Sequence, residues 1–241
     1  MFWQAAAARK NNLRTATNVH THQSSEIDLQ RRLAGPPHEP VIPVRERFYR
    51  PAAFVIRDLQ TPLWSSQVEI LRALTACKRV AVRSCNGSGK TLVAAAAVIW
   101  WLMAHEHQSA LVVTTAPTQH QVRDLLWREV RGIYYRNADF IGGSIGRTTL
   151  ELGPDHFATG LSTDSPERFQ GFHEKNILFV VDEASGVREE VYEAIEGSMT
   201  SRRVRLLLIG ISTSLAGGLL QGIPRAPISS RVLSEVGTRG V

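Results

Sequence analysis

The sequence predicts an α/β fold in which a mainly parallel central sheet is flanked by helices. Three observations carry that expectation. The runs ALVV from Ala110, ILFVV from Ile177 and VRLLLIG from Val204 are apolar almost throughout, as strands are when both faces of a sheet are covered. Stretches with apolar residues at helical spacing separate them. A chain of 241 residues with 43% hydrophobic content is also ample for one compact core.

Up to about residue 40 the chain is rich in Asn, Thr, Gln and Ala with scattered Pro, and no hydrophobic period persists. Residues 1–50 are therefore expected to be a disordered or loosely packed extension, and residues 51–213 the packed domain. In PLWSSQVEILRAL, Val68, Leu71 and Leu74 recur at helical spacing after a Ser-Ser start, which predicts a helix over about 65–77. The β-rich run RVAVRS follows, then a glycine-bearing loop, then LVAAAAVIWWLMA. That last run, Leu92 to Ala104, has 13 residues, short of the roughly 20 that span a membrane. It reads as a buried helix, with Trp100 and Trp101 as core. His105 and His107 just beyond it read as a solvated helix end, since no third metal ligand is placed nearby.

The run ALVVTTAPT is a buried strand ended by Pro117, and QHQVRDLLWREVRGIYY an amphipathic helix with Val122, Leu125, Leu126 and Val130 on one face. Residues 140–165 are rich in Gly and Thr with alternating pieces such as RTTLEL, the texture of antiparallel strands or a hairpin. NILFVVDEAS is a wholly apolar strand ending in two carboxylates, EEVYEAIEGSM a helix, and VRLLLIG a further strand. After Gly210 the chain has no aromatic residue, no Asp and no Lys, and only Glu235 is acidic. Residues 214–241 are read as an atypical tail. No internal repeat is evident.

The formal charge of +6 is unevenly spread. Residues 61–200 carry 13 Lys+Arg against 16 Asp+Glu, while residues 1–60 hold 9 and 5 and residues 201–241 hold 6 and 1. The body is thus slightly acidic, so net charge is weak support for nucleic-acid contact. Two cysteines, Cys77 and Cys85, form neither a disulfide framework nor a zinc pattern.

Chemistry concentrates in two places. RSCNGSGKT follows a strand-like run and opens an apolar helix, the context of a phosphate-binding loop G-x-x-x-x-G-K-[ST]. Gly87 and Gly89 let backbone N–H groups converge on a phosphate, Lys90 neutralises its oxygens, and the Thr91 hydroxyl ligates Mg²⁺. Ser84 stands where the pattern has its first glycine, which costs backbone freedom but removes no donor. In ILFVVDE the apolar run places Asp182 and Glu183 at the C-terminal end of a buried strand, where open α/β sheets bind ligands. Asp182 would hold Mg²⁺ and Glu183 orient and deprotonate the attacking water. Gln67, beside Trp64, either reads an adenine edge or is a helix-surface glutamine.

From Phe54 to Gly210 the chain resembles the large subunit of tailed-phage terminases, the ATPase that drives DNA into a preformed capsid. The likeness rests on an ordered set: PLWSSQVEIL, VAVRSCNGSGKT, VVTTAPTQHQVRDLLWREVR, LSTDSPERFQGFH, ILFVVDEASGV and LLLIG. It implies a P-loop NTPase of the RecA-like, additional-strand catalytic-Glu type. By that resemblance Gln67 is an adenine contact, Ser84, Cys85, Asn86, Gly87, Ser88, Gly89, Lys90 and Thr91 bind ATP, Thr91 and Asp182 serve Mg²⁺, and Glu183 is the catalytic carboxylate with Lys90. Some members carry an arginine four residues before the loop lysine; here that residue is Asn86, so the arginine finger would come from Arg83, Arg168 or a neighbouring subunit. IGISTS stands near the family's coupling run, which points to Thr213.

The resemblance further implies double-stranded DNA, portal protein and small terminase subunit as partners, a ring homo-oligomer during packaging, no membrane, and a place in the host bacterial cytoplasm and transiently at the prohead vertex. Nothing after Gly210 supplies the clustered acids of the family's nuclease domain, so DNA cleavage is not expected of this chain. Two other readings stay open: a helicase-like nucleic-acid ATPase, and a remnant that binds nucleotide or DNA without turnover.

Overall fold

The computed structural model describes residues 41–83, 87–163, 166–169, 171–172, 174–199, 203–210 and 231–234. Eight strands form one sheet: β1 (Arg79–Arg83), β2 (Ala110–Ala116), β3 (Ser144–Ile145), β4 (Thr149–Gly153), β5 (His156–Ser162), β6 (Asn176–Val181), β7 (Val204–Gly210) and β8 (Arg231–Ser234). Their order is β3-β4-β5-β2-β6-β7-β1-β8. The central run β5-β2-β6-β7-β1 is parallel throughout. β3, β4 and β8 pair antiparallel at the margins. The expected hairpin within 140–165 is the β4–β5 pair, whose register shifts between Glu151 and Gly153.

The principal helices are α1 (Ser65–Ala76), α2 (Lys90–Ala104), α3 (Trp127–Arg136) and α4 (Glu189–Ser198). Strand residues alternate between two cores, because successive side chains leave opposite faces of a strand. On one face Val80, Val82, Val112, Val180 and Leu207 pack with α1, α2 and α3. On the other, Ala81, Leu111, Phe179 and Leu208 pack with Val191 and Ile195 of α4. Helix α2 is buried all round from Val93 to Ala104. An apolar 13-residue run without amphipathic bias thus becomes the inner helix of the larger layer. Among the described residues no helix is long and apolar enough to cross a membrane.

Three expectations require correction. Residues 41–50 do not behave as a loose extension. Ile42 is fully buried, Val44–Arg47 is a helical turn, and Arg47 is buried against the end of α2. That cover changes His105, which is buried rather than solvated. Its ring lies 4.4 Å from that of Trp101 and 5.6 Å from that of Phe48. Burial lowers its pKa to about 4, so it is neutral and Nδ1–H donates to the Trp101 carbonyl at 2.8 Å. His107 is exposed.

The third correction concerns the helix after β2. It begins as a π-helical turn, Gln121–Leu126, before α3 takes over. Val122, Leu126 and Val130 are buried as expected, whereas Leu125 is 39% exposed. The wider π turn carries a residue three positions on further from the buried stripe than an α turn would.

Candidate active site

The site forms where three parallel strands end. β1 delivers the loop, β6 delivers Asp182 and Glu183, and β7 lies between them. One strand therefore separates loop strand from acidic strand, which is the additional-strand arrangement expected. Ser84, Cys85 and Asn86 lie outside the described residues. Gly87 and Gly89 both have left-handed backbones, φ +77° and +73°, which glycine adopts without steric cost. Left-handed residues in such a loop aim amide hydrogens into one concavity, a nest suited to an anion. Gly89 is also the N-cap of α2, so Lys90 and Thr91 begin that helix at its electropositive end.

Lys90 and the two acids do converge. Nζ of Lys90 lies 2.8 Å from Oε1 of Glu183, with the lysine side chain 10% exposed. The approach is a charged pair at hydrogen-bonding distance, and Glu183 is the carboxylate that faces the ammonium among the described residues. An ammonium offers three donors, so beside an anion nest it can serve ligand oxygens as well as Glu183.

Asp182 is buried, and that burial raises its pKa above the ordinary carboxylate value. Its Oδ1 accepts from the Glu183 amide at 3.0 Å and its Oδ2 faces the Thr91 hydroxyl at 3.4 Å. The Asp182 amide donates to the Thr115 carbonyl at 2.9 Å, which ties the acidic turn to the end of β2. A hydroxyl facing a carboxylate is a hard-oxygen donor set of the kind Mg²⁺ shares with phosphate oxygens. Among the described residues no cluster of three or more His, Cys, Asp or Glu side chains could hold a metal.

Glu183 sits at φ 49°, ψ 45°, the left-handed region that costs a non-glycine residue about 1–2 kcal/mol. The conformation is held from both sides: Gly186 N–H donates to the Glu183 carbonyl at 2.9 Å, and the Tyr192 hydroxyl donates to the Ala184 carbonyl. Sequence reasoning did not single out Tyr192. A signal was present, since a tyrosine in the apolar stripe Val191–Ala194–Ile195 must find a polar partner for its hydroxyl.

Gln67 departs from its expected place. It is 1% exposed, and both ends of its amide are used within the chain. Nε2 donates to the Gly89 carbonyl and Oε1 accepts from the Trp64 amide, each at 2.8 Å. It is therefore not a helix-surface glutamine. Of the arginine candidates, Arg83 ends β1 and is half-buried, while Arg168 is exposed in the short helical turn Pro166–Phe169. Thr213 lies outside the described residues.

A glycine nest capping a helix, its lysine facing an acidic pair one strand away, on a doubly covered parallel sheet, defines a P-loop NTPase fold. Two solved structures of the ATPase domain of the Thermus phage P74-26 large terminase, one of them a mutant, share that fold with TM-score 0.54 and 22% identity. The match covers 68% of this chain and 70% of that one. At that identity the likeness establishes the fold, and it falls on the family whose motifs the sequence resembles. The HK97 bacteriophage large terminase is also similar, at 17% identity and TM-score 0.49 over 68% of this chain and 37% of that one. No family model matches the chain, and no curated protein does.

Proposed function

We propose that this chain is the ATP-hydrolysing motor domain of a phage DNA-packaging terminase large subunit, coupling Mg-ATP hydrolysis to translocation of double-stranded DNA into a capsid. The observation that carries the reading is the buried Lys90 ammonium, which starts the helix behind the Gly87 and Gly89 nest and lies 2.8 Å from Glu183. Such an arrangement suits a triphosphate. The amides around Gly87 and Gly89 cradle its oxygens, Lys90 leaves Glu183 for the β and γ oxygens, and Glu183 is released to take a proton from the attacking water. Thr91 and Asp182 would hold the magnesium ion, which when bound neutralises developing charge on the phosphates.

In this reading the motor works as a ring, with portal protein and small terminase subunit as partners, in the host cytoplasm and at the prohead vertex. An arginine finger would come from Arg83, Arg168 or a neighbouring subunit, and Thr213 would serve coupling. The change in phosphate contacts at Lys90 and Glu183 would be converted into movement of a DNA-gripping surface.

The experiment is ATP turnover by the purified chain, with and without double-stranded DNA, beside Glu183→Gln. Steady hydrolysis that falls by about 10²- to 10³-fold in the variant is expected, the scale of losing one group that acts in the transition state. Nucleotide binding without turnover in the unaltered chain would instead favour the non-catalytic remnant, and ATP-driven strand separation the helicase-like reading.

A further inference from the structure

We infer that Gln67 is a positioning residue for the phosphate loop and takes no part in choosing the base. The inference rests on the proposed nucleotide site and assigns Gln67 a role different from the adenine contact implied by resemblance. Reading adenine bidentately takes an amide with its oxygen and nitrogen both turned to the base. Here the oxygen is bonded to the Trp64 amide and the nitrogen to the Gly89 carbonyl. The side chain is 1% exposed, and in this structure its amide is committed to these two bonds within the chain.

What the amide does hold is consequential. The peptide joining Gly89 to Lys90 is planar and trans, so its carbonyl and its N–H point in opposite directions. Fixing the Gly89 oxygen against α1 therefore fixes the Lys90 N–H away from α1, toward the loop's concavity. That N–H is among the first of α2, which have no partner within the helix. The same Gly89 oxygen accepts the first helical bond, from the Val93 amide at 3.2 Å. Gln67 thus adds a second restraint to the peptide that starts the helix. A Cβ on Gly89 would come within 2.5 Å of Gln67 Nε2, so the loop's last glycine is required by this contact as well as by its φ.

The other end of the amide anchors the brace. By accepting from Trp64 N, Gln67 caps the helix that carries it, and a capped rigid helix is a firmer support for the loop than a free side chain. The link spans 22 residues of sequence.

The test uses the full chain with Gln67→Met, which keeps volume and removes both bonds, and Gln67→Glu, which keeps the acceptor for Trp64 but loses the donor to Gly89. Affinities for ADP, GDP and inorganic pyrophosphate are measured by calorimetry, with hydrogen exchange at residues 89–91 followed in the absence of ligand. The brace predicts that both variants lose about tenfold in affinity for all three ligands alike, the scale of one lost hydrogen bond, and that exchange quickens at those amides. Loss of ADP affinity with GDP and pyrophosphate unchanged would overturn the inference, and so would unchanged exchange. Should the unaltered chain bind none of the three, the nucleotide reading itself fails, and the exchange measurement still decides whether Gln67 restrains the loop.

Discussion

Helix α2 has a buried cation at each end, roughly 20 Å apart by helical rise, and the two are treated in opposite ways. At the C-terminal end Arg47 is held within the chain. Its Nε donates to the Ile42 carbonyl and its Nη1 to the Met103 carbonyl, each at 3.1 Å, while Nη1 also reaches Glu106 Oε2 at 2.6 Å. The guanidinium lies 5.4 Å from the ring centres of both Phe54 and Phe140, a contact that favours a cation. At the N-terminal end Lys90 faces the side-chain carboxylate of Glu183 at 2.8 Å. A buried cation bound to backbone carbonyls of its own chain is a structural element, because those partners cannot be exchanged without disturbing the fold. One that faces a partly exposed side-chain carboxylate beside an anion nest can exchange that partner for a ligand oxygen.

The contrast is broken most directly at Lys90. On the proposed reading, replacing it by alanine reduces ATP turnover by about 10³-fold, since the cation assigned to the transferring phosphate is lost. Folding stability should change little, because the desolvation cost of the buried ammonium is removed together with its pairing to Glu183, which is partly exposed. Turnover and urea unfolding on the same preparations check the pair of outcomes. A Lys90→Ala protein that unfolds markedly more easily would place Lys90 with Arg47 as a structural cation.

Arg47→Ala should give the reverse pattern. Removing one partner strands the Met103 and Ile42 carbonyls and opens a hole beside the paired Phe54 and Phe140 rings, for an expected loss of about 3 kcal/mol. Glu106 is partly exposed, so its own stranding adds little. Nucleotide affinity should be unaffected, as Arg47 sits at the end of α2 away from the loop. Equilibrium unfolding with ADP titration measures both, and a variant of normal stability would show that these bonds do not hold this end of α2.

The two ends also differ in how far they could be read from sequence. The loop, the apolar strand before Asp182 and Glu183, and the helix that Lys90 opens are each local patterns, and their order alone implies a shared site. Nothing local marks Arg47, because its partners come from positions 5 and more than 50 residues away and from a segment whose composition resembles a tail. His105 was misjudged for the same reason, being covered by Phe48 of that segment. Gln67 shows a different limit. Helical spacing places it beside Trp64, but an amide can serve a base or a backbone equally well, and the deciding partner, Gly89, belongs to another element. Leu125 fails because a π turn leaves no mark in hydrophobic periodicity.

His105 offers the smallest and most selective test of the Arg47 end. Its pKa is lowered to about 4, chiefly by burial, with Arg203, Arg205 and His156 adding unfavourable charge to the protonated form. An unfolded histidine titrates near 6.5, so the unfolded chain binds this proton first. Stability from the neutral ring is therefore complete above about pH 6.5 and is lost as pH falls toward 4. The slope is at most about 1.4 kcal/mol per pH unit, and the whole loss, over the roughly 2.5 pH units between the two values, about 3 to 3.5 kcal/mol. Carboxylates titrate over part of the same window, so the informative quantity is the difference between the unaltered chain and His105→Phe. Unfolding at pH 7 should separate the two only through lost packing and the bond to Trp101, whereas at pH 4.5 the phenylalanine variant should regain ground. Parallel pH profiles for the two proteins would mean that the ring is hydrated after all, and that residues 41–48 do not close this end of α2 as they do in the structure.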